Sequence, residues 1–130
     1  MTRPANLKYT KSHEWVRVES DEAVGGITDF AIDQLGDLAF VDLPEAGTQI
    51  DQGGPFGEIE STKTVSDLYA PVSGEIVAVN QEVQDNLDWI SDGPFDKGWL
   101  IRIRVSQPAE LENLLSAEQY AEQIVVEEEH

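Results

Sequence analysis

Glu58-Ile59-Glu60-Ser61-Thr62-Lys63-Thr64-Val65-Ser66-Asp67-Leu68 alternates apolar and polar residues on both sides of a short polar bend. A period of two is the signature of a half-buried strand. Residues 56–60 and 65–69 are therefore predicted strands, joined at residues 61–64, with Lys63 projecting from the bend. A lysine that takes a covalent group must be reachable by a modifying enzyme and free of side-chain packing, and this position meets both needs. An ordinary hairpin tip also often carries lysine, so the spacing alone leaves the chemistry open.

Working outward, residues 14–18 and 23–27 read as strands. Thr28 or Asp29 can cap a short helix by accepting from an unpaired backbone N–H. Phe30, Ile32 and Leu35 supply its apolar contacts, and Gly36 is a natural stop. Residues 38–43 form a strand that ends at Pro44, residues 48–50 are extended, and Gly53-Gly54-Pro55 breaks the chain. Residues 75–79 and 100–105 complete the strands. Gly36-Asp37-Leu38-Ala39-Phe40-Val41 and Gly74-Glu75-Ile76-Val77-Ala78-Val79 share a glycine–acid–apolar form on either side of Lys63, a hint of two similar half-sheets. Pro108 suits a first helical turn. Leu111, Leu114 and Leu115 are expected to form one apolar face. Ser116 and Gln119 have capping-box spacing before a second helix with Tyr120 and Ile124 on one side. The expected fold is mainly β, a small β-sandwich or flattened barrel with short peripheral and C-terminal helices. It is read as a single domain over residues 1–130, with its core at about 7–120 and an acidic tail over 125–130 that is expected to fray from Glu127 to His130.

The 130-residue chain is long enough to bury roughly two-thirds of its unfolded surface. It has no cysteine, which excludes disulfides, thiolate metal sites and a cysteine nucleophile. No apolar run approaches the ~18 residues of a spanning helix, and residues 1–9 lack the apolar core of a signal peptide. We therefore expect a soluble monomer of a bacterial-type cytoplasm, without a membrane partner. The net charge of −18 argues against nucleic acid, which requires clustered Lys and Arg. Basic surfaces of other proteins are its natural complement, although such charge also simply maintains solubility. Of eight basic residues, Lys63 alone falls between Arg17 and Lys97, a stretch holding eighteen Asp and Glu. That isolation marks Lys63 either as a functional lysine or as a lone counterion.

Few catalytic constellations are available. The histidines are His13 and the terminal His130, and His13-Glu14 is not followed by the second histidine of a zinc-protease helix. A cleft or surface histidine is the better reading of His13. Gly53-Gly54-Pro55-Phe56-Gly57 lacks the Gly-Lys-Ser/Thr ending of a phosphate loop. Asp85, Asp88, Asp92 and Asp96 do not match a calcium-loop spacing and read as a solvated acidic loop. No metal site is expected. Glu58 and Glu60 share a strand face and could serve acid–base chemistry, as could many pairs in so acidic a chain.

Several segments, in order, resemble the H-protein family of the glycine cleavage system. These are Tyr9-Thr10-Lys11-Ser12-His13-Glu14-Trp15, Gly26-Ile27-Thr28-Asp29-Phe30-Ala31, Leu35-Gly36-Asp37 and Leu43-Pro44-Glu45-Ala46-Gly47. They continue through Glu60-Ser61-Thr62-Lys63, Ser66-Asp67-Leu68-Tyr69-Ala70-Pro71-Val72-Ser73-Gly74-Glu75 and Gly98-Trp99-Leu100. The resemblance spans about residues 7–120. It departs from the family pattern at Leu87-Asp88-Trp89-Ile90-Ser91, where many members have Pro-x-Leu-Val/Ile-Asn, a change expected in a loop beside a cleft. Gln34 stands where some members have histidine.

The resemblance implies a lipoyl-domain-like barrel-sandwich hybrid with lipoate attached covalently to Lys63. It implies a carrier that is not itself an enzyme. Such a carrier collects an aminomethyl group from a pyridoxal-phosphate glycine decarboxylase and delivers it to a tetrahydrofolate-dependent aminomethyltransferase. It is then reoxidised by a dihydrolipoamide dehydrogenase. A lipoate ligase or lipoyl/octanoyl transferase would load it. Ser12, His13 and Glu14, with Asp67, are candidates for sheltering the arm, and Glu60 and Asp67 for recognition around Lys63. The alternatives are an H-like lipoyl relay, a lipoyl domain of another multienzyme complex and a carboxylate-based hydrolase. A biotinyl domain is disfavoured because Thr62 and Thr64, not methionines, flank Lys63.

Overall fold

A computed structural model describes residues 4–128. Its strands are β1 (Lys8–Tyr9), β2 (Glu14–Glu19), β3 (Glu22–Ile27), β4 (Leu38–Asp42), β5 (Gln49–Ile50), β6 (Pro55–Ser61), β7 (Val65–Tyr69), β8 (Gly74–Val79) and β9 (Ile101–Val105). Helix α1 (Asp29–Leu35) follows β3, α2 (Asp88–Asp92) precedes β9, and α3 (Ala117–Glu128) closes the described chain. All strand pairs are antiparallel, in a six-stranded sheet of order β1-β2-β3-β9-β8-β5 and a three-stranded sheet of order β4-β6-β7. The two glycine–acid–apolar patches open strands in different sheets, β4 in the smaller and β8 in the larger.

The main core fills the space between the sheets with Val16, Val41, Ile59, Leu68, Ile76 and Ile103. A second cluster lies on the other face of the larger sheet, where Leu7, Tyr9, Trp15, Val24 and Phe30 meet Tyr120 and Ile124 of α3. Strands β2 and β3 are thus covered on both faces. Trp15 in β2 faces the second cluster and Val16 the first, so this stretch loses the alternation of a one-sided strand. The register pairs Trp15 with Gly26, and a Cβ on Gly26 would meet the indole Nε1 at 2.9 Å. The absent side chain is what lets the indole lie flat and donate to the Pro94 carbonyl at 2.9 Å.

Helix α1 begins as its sequence predicts. Thr28 is the N-cap and accepts from the Ala31 N–H, and Gly36 ends the helix at φ 81°. The capping box also forms, with Gln119 N–H donating to Ser116 Oγ and Ser116 N–H donating to Gln119 Oε1.

Three expectations are corrected. Of the segment expected to fray, Glu127 to His130, residues 127 and 128 instead continue α3, which Tyr120 and Ile124 anchor in the core, and 129–130 lie outside the described residues. The acidic segment around Asp85–Asp96 is not a plain loop, because a 3-10 turn at Gln81–Gln84 and helix α2 are pinned by buried Val83 and Ile90. Leu111, Leu114 and Leu115 do not share one helical face. The 3-10 helix Pro108–Asn113 ends before Leu114, and Leu115 bridges to Tyr9, so Leu111 and Leu114 pack on the main core and Leu115 on the second cluster.

Candidate functional site

Lys63 sits at the tip of the β6–β7 hairpin and is exposed. The turn beneath it is held by several hydrogen bonds. Ser61 N–H donates to the Thr64 carbonyl at 2.8 Å, and Ser61 Oγ accepts from the N–H groups of Lys63 and Thr64 at 3.1 and 3.2 Å. Thr62 N–H donates to the Asp37 carbonyl at 2.9 Å, tying the tip to the chain just before β4. The lysine side chain passes over Gly36, where a Cβ would stand 3.2 Å from Lys63 Cε. Gly36 therefore both ends α1 and leaves room for the lysine stem. Among the described residues no ion pair involves Lys63.

Beside this hairpin lies a cavity of about 260 Å³. Ser12, His13 and Glu14 form one edge, Ala31, Gln34 and Leu35 of α1 form another, and residues 64–68 close the third. Ile27, Ile59 and Leu68 make its interior apolar. Four residues singled out in the sequence, Ser12, His13, Glu14 and Asp67, are thus brought together beside Lys63. Glu60 is not among the lining residues. It lies on the solvent face of the three-stranded sheet, as the alternation of exposed Glu58 and Glu60 with buried Ile59 dictates.

Glu14 is the unusual group. It is only 2% exposed. Its carboxylate accepts from the Thr10 hydroxyl at 2.7 Å, from the Ser12 hydroxyl, and from Tyr69 N–H at 3.2 Å. Burial pushes its pKa up from 4.5 to about 7, against the lowering effect of those hydrogen bonds, first that of Ser12. Such a shift has a consequence for stability. Between pH 4.5 and 7 the folded chain holds a proton that the unfolded chain has lost. Stability from this group is therefore full below 4.5 and falls as pH rises through 7, by about 3 kcal/mol. Urea unfolding at pH 5 and pH 8 is expected to show the loss in the parent and much less of it in Glu14→Gln. An equal loss in both would contradict the assignment of Glu14 as the titrating group.

Other parts of the site were not evident in the sequence. Thr10 and Tyr69 N–H are partners of Glu14, and Gln34 lines the cavity. The polar spacing of Thr10, Ser12 and Glu14 at every second residue was the one local signal of this group. The departure at residues 87–91 does not line this cavity. It forms the start of α2, where Ile90 is buried, and contributes to a separate surface hollow with Asp92, Asp96 and Lys97. His13 is held at φ 74°, and its Nδ1 lies 2.8 Å from the Tyr120 hydroxyl. Among the described residues no three His, Asp or Glu side chains converge as metal ligands do, and no helix is long and apolar enough to cross a membrane.

A family model described as "Glycine cleavage H-protein" matches residues 7–127. The chain is 52% identical over 124 residues to the "Glycine cleavage system H protein" of Anoxybacillus flavithermus, covering 95% of this chain and 98% of that protein. It is 54% identical over 121 residues to that of Geobacillus thermodenitrificans, covering 93% and 95%. A crystal structure of a glycine cleavage system H protein from Mycobacterium marinum superposes with a TM-score of 0.86 at 42% identity, over 93% of this chain and 98% of that one.

Proposed function

The chain belongs to the glycine cleavage H-protein family, and from that premise we propose that it is a single-domain lipoyl carrier with its arm attached at Lys63 and sheltered beside Glu14. The carrier role in the glycine cleavage system and the lipoyl-domain-like barrel-sandwich fold follow from the family and its structural likeness. The attachment residue and the shelter are what we infer from the geometry around Lys63. The observation that carries it is an exposed lysine on a tightly held turn next to a cavity with Ile27, Ile59 and Leu68 in its interior and a buried carboxylate at its edge.

These residues suit the group. Ile27, Leu35, Ile59 and Leu68 offer an aliphatic arm apolar surface to cover. Attached as an amide on Lys63 Nζ, lipoate supplies the dithiol chemistry that takes up and releases an aminomethyl group. Ionised Glu14 would receive a cationic amine through a charge-assisted hydrogen bond. A carboxylate has about four acceptor positions, and Thr10, Ser12 and Tyr69 N–H occupy three of those on Glu14. Oε2 keeps room for one more donor. Asp67 lines the rim but pairs across the strands with Glu58, so its carboxylate belongs to the solvent face of the hairpin sheet.

The partners on this reading are glycine decarboxylase, aminomethyltransferase, dihydrolipoamide dehydrogenase and a lipoate-attaching enzyme. Their access would be over the solvent face of the hairpin sheet. Cross-strand pairing sets Phe40, Glu60 and Val65 in one row and Asp42, Glu58 and Asp67 in the next. Phe40 and Val65 are 52% and 56% exposed, so apolar contact and negative charge lie side by side next to Lys63. Replacing Glu60 by Gln and Asp67 by Asn together is expected to slow lipoylation or transfer several-fold, with no change in unfolding midpoint. Unchanged kinetics at every step would leave these as solvent-facing charges only.

Reconstitution tests the carrier role. The lipoylated chain, mixed with glycine decarboxylase and aminomethyltransferase, is expected to support glycine-dependent carbon transfer to tetrahydrofolate. A fully lipoylated chain that supports none would favour a lipoyl relay to other proteins.

A further inference from the structure

Resting on the reading of the cavity as the seat of the arm, we propose that Tyr120 is a positioning residue that fixes two walls of this cavity through its single hydroxyl, making α3 a clasp across the site. One wall is the segment of residues 10–14, and the other is helix α1.

The segment of residues 10–14 closes on itself, Thr10 N–H donating to the Glu14 carbonyl at 2.9 Å and His13 N–H to the Thr10 carbonyl at 3.2 Å, but these local bonds do not fix where it lies against α1. It makes a tight turn in which His13 adopts φ 74°, a left-handed conformation that costs a non-glycine residue free energy. Its side chains at positions 12, 13 and 14 nevertheless form one edge of the cavity. Its placement is set by contacts from a distance. His13 Nδ1 lies 2.8 Å from the Tyr120 hydroxyl, and His13 Nε2 lies 3.2 Å from Glu127. Gln123 Nε2 donates to the Lys11 carbonyl at 3.1 Å. Residues 120, 123 and 127 fall on one helical face, so α3 reaches this segment at each successive turn.

The same hydroxyl reaches the second wall. It lies 2.6 Å from Thr28 Oγ1, which caps α1 by accepting from the Ala31 N–H. Thr28 N–H in turn donates to the His13 carbonyl at 3.0 Å. Helix α1 contributes Ala31, Gln34 and Leu35 to the cavity. Tyr120, His13 and Thr28 therefore close a ring of hydrogen bonds at the junction of the two walls. One arrangement that satisfies these contacts has Nε2–H donating to Glu127, the Tyr120 hydroxyl donating to Nδ1 and the Thr28 hydroxyl donating to the Tyr120 oxygen. Tyr120 is fully buried and its ring stacks on Tyr9 at 4.8 Å and 7°. The hydroxyl is thus delivered by a rigid platform and does not depend on a flexible side chain.

Tyr120→Phe removes the hydroxyl and keeps the ring stack. Two readouts separate positioning from mere packing. In the unmodified chain, the Glu14 carboxyl followed by NMR is expected to titrate closer to 4.5 than the value of about 7 expected of the parent, because a loosened segment admits water beside it. In the lipoylated and aminomethylated chain, the loaded form is expected to decay several-fold faster than the parent's. Ile124→Val, a core change on the same helix, is expected to leave both readouts at the parent's values. If Tyr120→Phe matches the parent in the titration, or Ile124→Val shifts it as far, the assignment is overturned. The titration needs no lipoyl group, so it decides the clasp even if Lys63 is not the attachment point. Should Tyr120→Phe fail to fold, Glu127→Ala, which removes the acceptor for His13 Nε2 at an exposed position, is expected to shift the titration in the same direction, and no shift would overturn the proposal.

Discussion

Lys63→Arg is expected to abolish lipoylation and glycine-dependent turnover while leaving the fold intact. Arginine keeps the positive charge but has no primary amine to form the amide. The turn does not depend on the lysine side chain, because its hydrogen bonds run through backbone groups and Ser61 Oγ. Lys63 is exposed and makes no ion pair among the described residues, so the change in stability is expected to stay within about 0.5 kcal/mol. The longer guanidinium group still has to pass over Gly36, which has no side chain to obstruct it. Circular dichroism and a thermal melt check the fold, and a lipoylation assay checks the chemistry. Parent-level lipoylation of this variant would move the attachment point to another lysine.

Glu14→Ala is expected to shorten the lifetime of the aminomethylated chain by roughly ten- to a hundredfold, the equivalent of losing one hydrogen bond to a charged group at about 1.5–3 kcal/mol. An exposed carboxylate would be screened and have little effect, but Glu14 is only 2% exposed. The variant also leaves the Thr10 and Ser12 hydroxyls and Tyr69 N–H without their acceptor, which draws water into the cavity. Attachment at Lys63 is expected to proceed at the parent's rate, because the hairpin turn contains no contact with Glu14. The measurement is the release of the one-carbon unit from loaded parent and loaded variant in the absence of any partner enzyme. Equal decay would mean that the shelter is provided elsewhere.

The sequence and the structure agree best where short-range chemistry dictates the outcome. The β6–β7 hairpin follows from alternation around Ser61 to Thr64, α1 from the Thr28 cap and Gly36 stop, and the start of α3 from the box of Ser116 and Gln119. Lys63 stood out in the sequence because no other basic residue lies between Arg17 and Lys97, and the structure places it exposed at the hairpin tip. Ser12, His13, Glu14 and Asp67 could be brought to one edge only by the family resemblance, and the structure gathers them around one cavity. Glu60 points the other way, because its strand alternates and Ile59 takes the inward position. What could not be read locally is long-range. Tyr120 and His13 lie 107 residues apart, and Glu14 and Tyr69 lie 55 apart. Tyr120 looked like an ordinary core residue on an amphipathic helix. Helix α2 was hidden because five residues with three acidic or polar members carry little periodicity, and its anchor is a single buried Ile90.

The central claim is that Lys63 alone carries the arm. The most direct test is the intact mass of the purified chain before and after incubation with a lipoate ligase, ATP and lipoate, followed by peptide mapping. A gain of one lipoyl group per chain is expected, all of it on the fragment that contains Lys63. No gain in mass, or lipoyl groups on Lys8, Lys11 or Lys97, would contradict it.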